Sequence, residues 1–247
     1  MGKAKEVARL LLENRGDDNS WEWLVPGKAP TMKDANKFFL GAILQWQISA
    51  EVAWSNARRF SEEILCDPDN LWAAVASVPF EDWKLKKGEY GLHWLHKGHE
   101  RVWTIGRRIN QWYGGDARRI WQGQSVDAVL DRLGDLRAGS QISKMIVGAL
   151  KDTGQVSGRN DVKVDTHVCR VLGRVFRGKP FDAMNDAGKV VELTGAMHPA
   201  DPWLLDRPLH LMGQLTCRPK EPKCEGCYLR HECVYHGNIS RGAPSSK

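Results

Sequence analysis

Apolar residues recur every three or four positions along most of the chain, which is the spacing of one face of an α-helix. The segments with this spacing are KDANKFFLGAILQWQ (33–47), SAEVAWSNARRFSEEIL (49–65), DNLWAAVASV (69–78), RVWTIGRRINQWY (101–113), SVDAVLDRL (125–133), ISKMIVGALKD (142–152), DTHVCRVLGRVF (165–176) and AGKVVELTGAM (187–197). Several begin with Asp, Ser or Asn, which cap helix N-termini. Since no set of alternating β-branched runs is present to form a sheet, the pattern predicts an all-α protein.

The start of the sequence, MGKAKEVARLLLEN, predicts an amphipathic helix and lacks the apolar block and cleavage site of a signal peptide. The longest apolar run, Phe38 to Leu44, is too short to span a membrane. A chain of 247 residues also buries a large core without needing disulfides. We therefore expect a cytoplasmic, reduced protein with no membrane partner, nucleoid-associated if its source is bacterial or archaeal.

Four of the six cysteines lie close together near the end of the sequence. Cys217, Cys224, Cys227 and Cys233 form the pattern C-x6-C-x2-C-x5-C. Clustered thiols in a reduced protein indicate metal ligands. The compact run favours an iron–sulfur cluster, and on spacing alone zinc and free surface cysteines stay open. The other two, Cys66 and Cys169, lie in helical patterns and are expected to be buried.

Positive charge is concentrated in one part of the sequence. The whole chain has a formal net charge of +6, and residues 84–119 contain nine Lys or Arg against three Asp or Glu, which is also +6. Such a patch favours a polyanion such as nucleic acid as the partner.

Two further motifs point to the same kind of partner. VLDRLGDLRAGSQISKMIVGALKD (129–152) predicts a helix, a turn at Gly139 and a second helix from about Ser140. The N–H groups at the start of such a second helix suit a DNA phosphate. VKVDTHVCRVLGRVF (162–176) predicts a helix with Asp165 at its N-cap.

The hairpin, the V-D-T-H-V-x-R-V motif and the cysteine pattern, in this order, resemble the endonuclease III-like DNA glycosylases. These are the helix–hairpin–helix enzymes that carry a 4Fe–4S cluster. The resemblance runs from about Lys33 to Cys233, and ILQWQIS (43–49) looks like the helix with the intercalating glutamine of that family.

The resemblance implies an all-α fold of two helical lobes, with the active site in the cleft between them. It assigns 33–152 to a six-helix domain with the hairpin, and 1–32 plus 153–236 to an iron–sulfur domain. We expect a disordered tail over 237–247. The expected partner is double-stranded DNA with a lesion or modified base, bound by a monomer.

The resemblance also implies roles for particular residues. The four clustered cysteines would bind one structural 4Fe–4S cluster, and a monovalent cation would bind at the hairpin. The residues expected to contact DNA are Gln47 or Gln45, which would fill the gap left by an extruded base, Gly139 and Ser140 of the hairpin, and Arg218, Lys220 and Lys223 of the cysteine loop.

The hairpin departs from the family pattern L-P-G-V-G-x-K, whose lysine forms a Schiff base in the lyase-type members. Gln141 stands at that position and has no nucleophilic amine, which predicts hydrolytic base removal without strand cleavage. Lys144 is the alternative lysine, for a lyase-competent enzyme. The adenine-mismatch members of the superfamily carry a Glu where this chain has Gly41 and Ala42, so that specificity is not favoured.

Asp165 is the predicted catalytic residue. A helix N-terminus should keep its carboxylate ionised. The charge would then stabilise an oxocarbenium-like sugar, and the carboxylate would orient or deprotonate the attacking water. Two other classes stay open, a DNA-binding protein on the same fold without catalysis and a zinc-bearing nucleic-acid binder. The excised base stays open among mismatched, alkylated and modified bases.

Overall fold

The computed structural model describes residues 2–16, 20–45, 48–92 and 98–241. The structure in these ranges is helical and contains no β-strand, apart from an isolated bridge between Trp21 and Leu24. This confirms the all-α prediction. None of the described helices is long and apolar enough to cross a membrane.

Thirteen α-helices are described, and three 3-10 turns and one π-helical turn lie between them. The α-helices are α1 (Lys3–Glu13), α2 (Met32–Leu44), α3 (Ala50–Arg58), α4 (Leu71–Ser77), α5 (Phe80–Leu85), α6 (Lys87–Tyr90), α7 (Gly98–Tyr113), α8 (Val126–Asp135), α9 (Ser140–Asp152), α10 (Thr166–Arg177), α11 (Ala187–Met197), α12 (Asp206–Leu215) and α13 (Val234–Ser240). The π-helical turn, Arg59–Ile64, continues α3, and the 3-10 turns are Ala117–Ile120, Pro202–Leu205 and Arg230–Glu232.

The chain forms two compact units. One consists of Met1–Asp18 and Arg159–Lys247, and the other of Asn19–Gly158. The boundary between the first segment and the second unit therefore lies near residue 18, earlier than the predicted residue 32. Residues 19–32 belong to the second unit because Leu24 is buried in its core and the Trp21 indole donates a hydrogen bond to Asp152 in α9.

The core of the Asn19–Gly158 unit is aromatic at its centre. Phe38 and Phe39 of α2 are fully buried, and Phe39 lies edge-on to the buried Trp72 of α4. Helix α2 begins at the cap residue Thr31, whose hydroxyl accepts the Asp34 N–H. The predicted helix 33–47 is present as α2, which ends at Leu44 and is buried on every side from Ala35 to Leu44, including the polar Asn36 and Lys37.

The core of the other unit is built around α10. Its predicted apolar stripe is buried against α12, and consists of Val168, Val171, Leu172 and Val175. The helix ends at Gly178, which has a left-handed φ of 77°. An added Cβ at Gly173 would collide with the backbone of 179–181, so glycine is needed where the chain turns back over the helix.

Three features differ from the sequence predictions. Cys66 is exposed, because the chain leaves the π-helical turn with left-handed backbone at Cys66 and Asp67 (φ 55° and 52°). Helices α5, α6 and α12 lie outside the predicted helical segments. Helix α13 reaches Ser240 and so includes the first residues of the segment predicted to be disordered, while residues 242–247 lie outside the described ranges.

Candidate active site and thiol-lined pocket

Asp165 is the N-cap of α10 and uses one carboxylate oxygen to cap it. Its Oδ1 accepts the backbone N–H groups of His167 (2.8 Å) and Val168 (2.9 Å). Its other oxygen, Oδ2, lies 3.5 Å from Nδ1 of His210 in α12. The side chain is 21% exposed. Oδ1 therefore caps the helix, and Oδ2 is the oxygen available for catalysis.

The surroundings of Asp165 favour the ionised carboxylate. Burial by itself would raise its pKa, but His210, the Val168 N–H and the charge of Lys163 together lower the pKa below the ordinary value of 3.8. A carboxylate that stays charged at neutral pH is what stabilisation of a cationic sugar requires.

A second carboxyl group lies in the same electrostatic environment. Asp206, at the start of α12, accepts the backbone N–H of Lys163 at 2.7 Å. Burial and the negative charge of Asp165 raise the pKa of Asp206 to about 7. Sequence reasoning missed both Asp206 and His210. Their spacing of four residues, one helical turn, is the signal that could have linked them, had helix α12 been recognised.

Two arginines of α10 hold the segment that begins the cysteine motif. Arg170 donates to the carbonyls of Gly213 and Cys217, both at 2.7 Å. Arg174 donates to the carbonyls of Arg218 (2.6 Å) and Pro219 (3.0 Å). Both arginines are over 90% buried. The helix that begins at Asp165 therefore also fixes the position of residues 217–219.

The four clustered cysteines line one pocket, part of which is open to solvent. Apolar side chains such as Val171, Met212 and Leu229 and the cations Arg174, Lys223 and Arg230 also line it. Burial raises the pKa of Cys227 to about 11 and also raises the pKa values of Cys224 and Cys233. A bound cationic group would be needed to hold these sulfurs as thiolates.

The pocket offers the donor set that an iron–sulfur cluster would take. The donors are four sulfurs, which is the ligand set that such clusters take. In the part of the chain that the structure describes, no group of three or more His, Cys, Asp or Glu side chains could hold a metal ion. The four sulfurs thus line one pocket without converging on a single ion.

The predicted hairpin is present between α8 and α9. Gly139 (φ 80°) is the N-cap of α9, and Arg137 before it is also left-handed, with a φ of 61°. Arg101 of α7 supports the turn by donating to the Ala138 carbonyl. Ser140 is exposed at the first position of α9, and its N–H group precedes the first hydrogen bond of that helix.

Gln141 and Lys144 lie one turn apart in α9, and both are partly buried. Oε1 of Gln141 is buried and finds no hydrogen-bond partner among the described residues. Gln45 ends α2, and its buried Nε2 is likewise unpartnered within the described part of the chain. Gln47 lies outside the described residues.

The two predicted basic segments, 84–119 and the cysteine loop, differ in how many of their cations form ion pairs within the protein. Arg218, Lys220 and Lys223 are all exposed. In the 84–119 segment, Arg118 forms an ion pair with Asp116 at 2.7 Å and Lys84 pairs with Glu81 at 3.4 Å. Lys97 of this segment lies outside the described residues. The cysteine loop is therefore the clearer cationic surface.

The helical architecture is similar to that of solved DNA glycosylases over nearly the whole chain. A non-covalent endonuclease III–DNA complex matches with a TM-score of 0.66 and 16% identity, over 98% of this chain and 99% of that one. A thermostable thymine-DNA glycosylase matches with a TM-score of 0.64 and 18% identity, over 96% and 97%. The chain therefore has the endonuclease III-like fold, as its sequence predicted.

Sequence similarity is more limited. Endonuclease III of Rickettsia conorii (strain ATCC VR-613 / Malish 7) is 29% identical over 85 residues, which is 33% of this chain and 38% of that protein. The match thus spans well under half of this relative's length. No family model matches the chain.

Proposed function

We propose that this protein is a DNA glycosylase, which releases a damaged, mismatched or modified base by hydrolysis of the N-glycosidic bond. The observation that carries the proposal is Asp165, a charged and partly exposed carboxylate at a helix N-terminus, in a chain with the endonuclease III-like fold. The fold itself does not define the reaction, so the proposal depends on this site.

Asp165 has the charge that the reaction needs. As the glycosidic bond breaks, its electron pair leaves with the base and positive charge develops on the sugar. The carboxylate stabilises that charge, and Oδ2 is the oxygen available to orient the water or take its proton. The water oxygen bonds to C1′, its second hydrogen stays with the sugar as the new hydroxyl, and the proton taken by the carboxylate passes to the departing base.

Gln141 supports a monofunctional reaction, because an amide cannot form a Schiff base. The bifunctional alternative is favoured by the similarity to an endonuclease III and by Lys144, one turn further along α9. In that case the amine of Lys144 would attack C1′, and the strand would be cut after base loss.

The thiol-lined pocket would hold one 4Fe–4S cluster in a structural role. When bound, the cluster would fix the loop from Cys217 to Cys233, while Arg170 and Arg174 join the start of this loop to α10. Purified protein should then be brown and contain about four irons per chain. Colourless protein with one zinc would instead support the zinc-bearing binder.

Two surfaces are suited to the DNA backbone. The N–H groups of the exposed residues Gly139 and Ser140 can donate hydrogen bonds to a phosphate at the N-terminus of α9. The exposed cations Arg218, Lys220 and Lys223 can contact phosphates from the cysteine loop. These contacts fix position on DNA without reading sequence.

The decisive experiment is a panel of duplexes, each with one damaged, mismatched or modified base, scored for base release by wild type and by Asp165→Asn. Asparagine still caps α10 but has no charge, so we expect a loss of about a hundredfold or more, ~3 kcal/mol, with DNA affinity retained. Excision at the wild-type rate by Asp165→Asn would reduce Asp165 to a helix cap. DNA binding without base release from any duplex would favour the non-catalytic binder.

Borohydride trapping separates the two catalytic versions. With glutamine at position 141 we expect no covalent enzyme–DNA adduct, and strand breaks only after alkali or heat. An adduct in the wild type that disappears in Lys144→Ala would establish the lyase.

A further inference from the structure

One face of α12 packs against the start of α10. Asp206, His210 and Gly213 are spaced by four and three residues, so they lie on the same side of α12. Gly213 permits a close approach, because an added Cβ there would lie 2.7 Å from the Cβ of His167. The approach brings His210 Nδ1 to 3.5 Å from Asp165 Oδ2. It also places the His210 ring 4.8 Å from the His167 ring, between centroids.

The two histidines of this cluster differ in their surroundings. Nη2 of Arg170 lies 3.1 Å from Nδ1 of His167. A guanidinium only donates hydrogen bonds, so Nδ1 of His167 must be the acceptor and its ring must be neutral. Burial also lowers the pKa of His167. The side chain of His210 is 41% exposed, so this ring is in contact with water as well as with Asp165.

We propose that His210 is a positioning residue for Asp165, one that also makes base excision depend on pH. When neutral, it donates its Nδ1 hydrogen to Oδ2 and fixes the carboxylate in one rotamer. When protonated, it pairs with Asp165 as a cation and cancels the negative charge that the developing sugar cation needs. The inference rests on the proposed glycosylase function, and it predicts that excision slows as pH falls.

Other charged or titratable groups surround this pair and have to be separated from it. Asp206 faces it from α12, Lys163 from the segment before α10, and His167 and Arg170 from α10. Arg170 is a cation throughout, and His167, whose Nδ1 faces the Arg170 guanidinium, is neutral. Asp206 is the competing source of a pH effect, because its pKa is raised to about 7.

The main experiment measures the single-turnover rate of base release from about pH 5.5 to pH 9, with the full-length protein and a duplex that the wild type cleaves. In His210→Asn the amide can replace the Nδ1 donor but does not titrate. We expect this variant to stay within about threefold of wild type at pH 8 and to lose the decline at low pH. His210→Leu, which has no donor, should be about tenfold slower at pH 8 with unchanged DNA affinity.

Asp206→Asn is the matched control on the same helix face. If His210 is the source of the decline, this variant keeps the wild-type slope at low pH. The proposal is overturned if His210→Asn and wild type have the same pH profile, if Asp206→Asn alone removes the decline, or if His210→Leu excises at the wild-type rate.

The pairing can also be measured without activity. In 15N-labelled wild type at about pH 8, imidazole spectra should show the proton of His210 on Nδ1, and Asp165→Ser should lose this preference. Serine retains a good helix cap, so α10 is preserved. A wild-type His210 with its proton on Nε2 would refute the pairing. If the pairing is present but no duplex is cleaved, the glycosylase proposal has failed and the contact stands.

Discussion

Asp165 serves structure and chemistry with different atoms. Oδ1 satisfies two N–H groups at the start of α10, and Oδ2 faces His210. An N-cap aspartate is common and by itself indicates only a helix start. What distinguishes Asp165 is that its neighbours keep it charged although its side chain is mostly buried. Asp206 nearby has its pKa raised, first by burial and then by the Asp165 charge.

We predict that Asp206→Asn stabilises the protein at alkaline pH. In the unfolded chain this carboxyl loses its proton near its ordinary pKa of 3.8, whereas in the folded protein it holds the proton up to about 7. The native state therefore loses stability as pH rises through this window, and the loss is complete above pH 7. Asparagine can still accept the Lys163 N–H and has no charge to desolvate. Thermal unfolding should show a gain of at least about 2 °C at pH 8.

The pH dependence of this gain is the test of its cause. The difference between Asp206→Asn and wild type should shrink towards zero near pH 4, where both side chains are neutral. A gain of the same size at all pH values would mean that repacking, and not charge, is responsible. A loss of stability at pH 8 would mean that the ionised carboxylate is favourable in the folded protein.

At the scale of elements, α10 connects the candidate catalytic residue to the cysteine loop. Its apolar face is part of the core, while Arg170 and Arg174 point to carbonyls of Gly213 and of residues 217–219. Breaking these contacts would leave buried guanidinium groups without acceptors, which is costly. The arginines therefore stabilise the loop through geometry that lysine would not reproduce.

Gly173 is the position in α10 where the helix tolerates no side chain. Because a Cβ there would meet the backbone of the returning segment 179–181, we predict that Gly173→Ala destabilises the protein by about 2–4 kcal/mol, measured by urea unfolding. Gly188→Ala in α11 is the matched control. No atom lies within 4 Å of its added Cβ, so the free energy of unfolding should rise by about 0.5–1 kcal/mol.

The apolar spacing and the capping residues predicted most helices and the Asp165 cap of α10. They did not predict which residues lie next to Asp165. The apolar spacing of Val168, Val171, Leu172 and Val175 identified the buried face of α10. Helix α12, which was not predicted, carries Pro208 in its first turn, where proline is compatible with a helix. His210 could not be assigned, since its role depends on which helix face packs on Asp165. The contacts of Arg170 and Arg174 could not be assigned either, because their acceptors lie more than 40 residues further along the sequence.

At the scale of the whole molecule, the sequence concentrates its excess charge in residues 84–119, but the structure pairs part of that charge internally. Arg118 is held by Asp116, and Arg101 supports the hairpin turn. The exposed cations of the cysteine loop are thus the better candidates for long-range attraction to DNA.

We predict that Lys220→Glu with Lys223→Glu weakens binding to every duplex by about the same factor, roughly tenfold or more at low salt, and lowers the salt dependence of the dissociation constant. Fluorescence anisotropy over a salt series measures both effects. Lys5→Glu with Lys28→Glu is a control with the same change in net charge at exposed positions elsewhere. A change in lesion preference without a change in overall affinity would show that the loop reads bases.

The division of the chain also has a consequence for the order of folding during synthesis. Helix α1 belongs with residues that follow Arg159, and Lys3 reaches the carbonyl of Val175. The ribosome therefore releases α1 long before its partners exist, while the Asn19–Gly158 unit is complete in one continuous stretch. That unit can fold first. The apolar face of α1 stays exposed until the chain has been synthesised as far as α12. During this interval the nascent protein is open to chaperones and to aggregation.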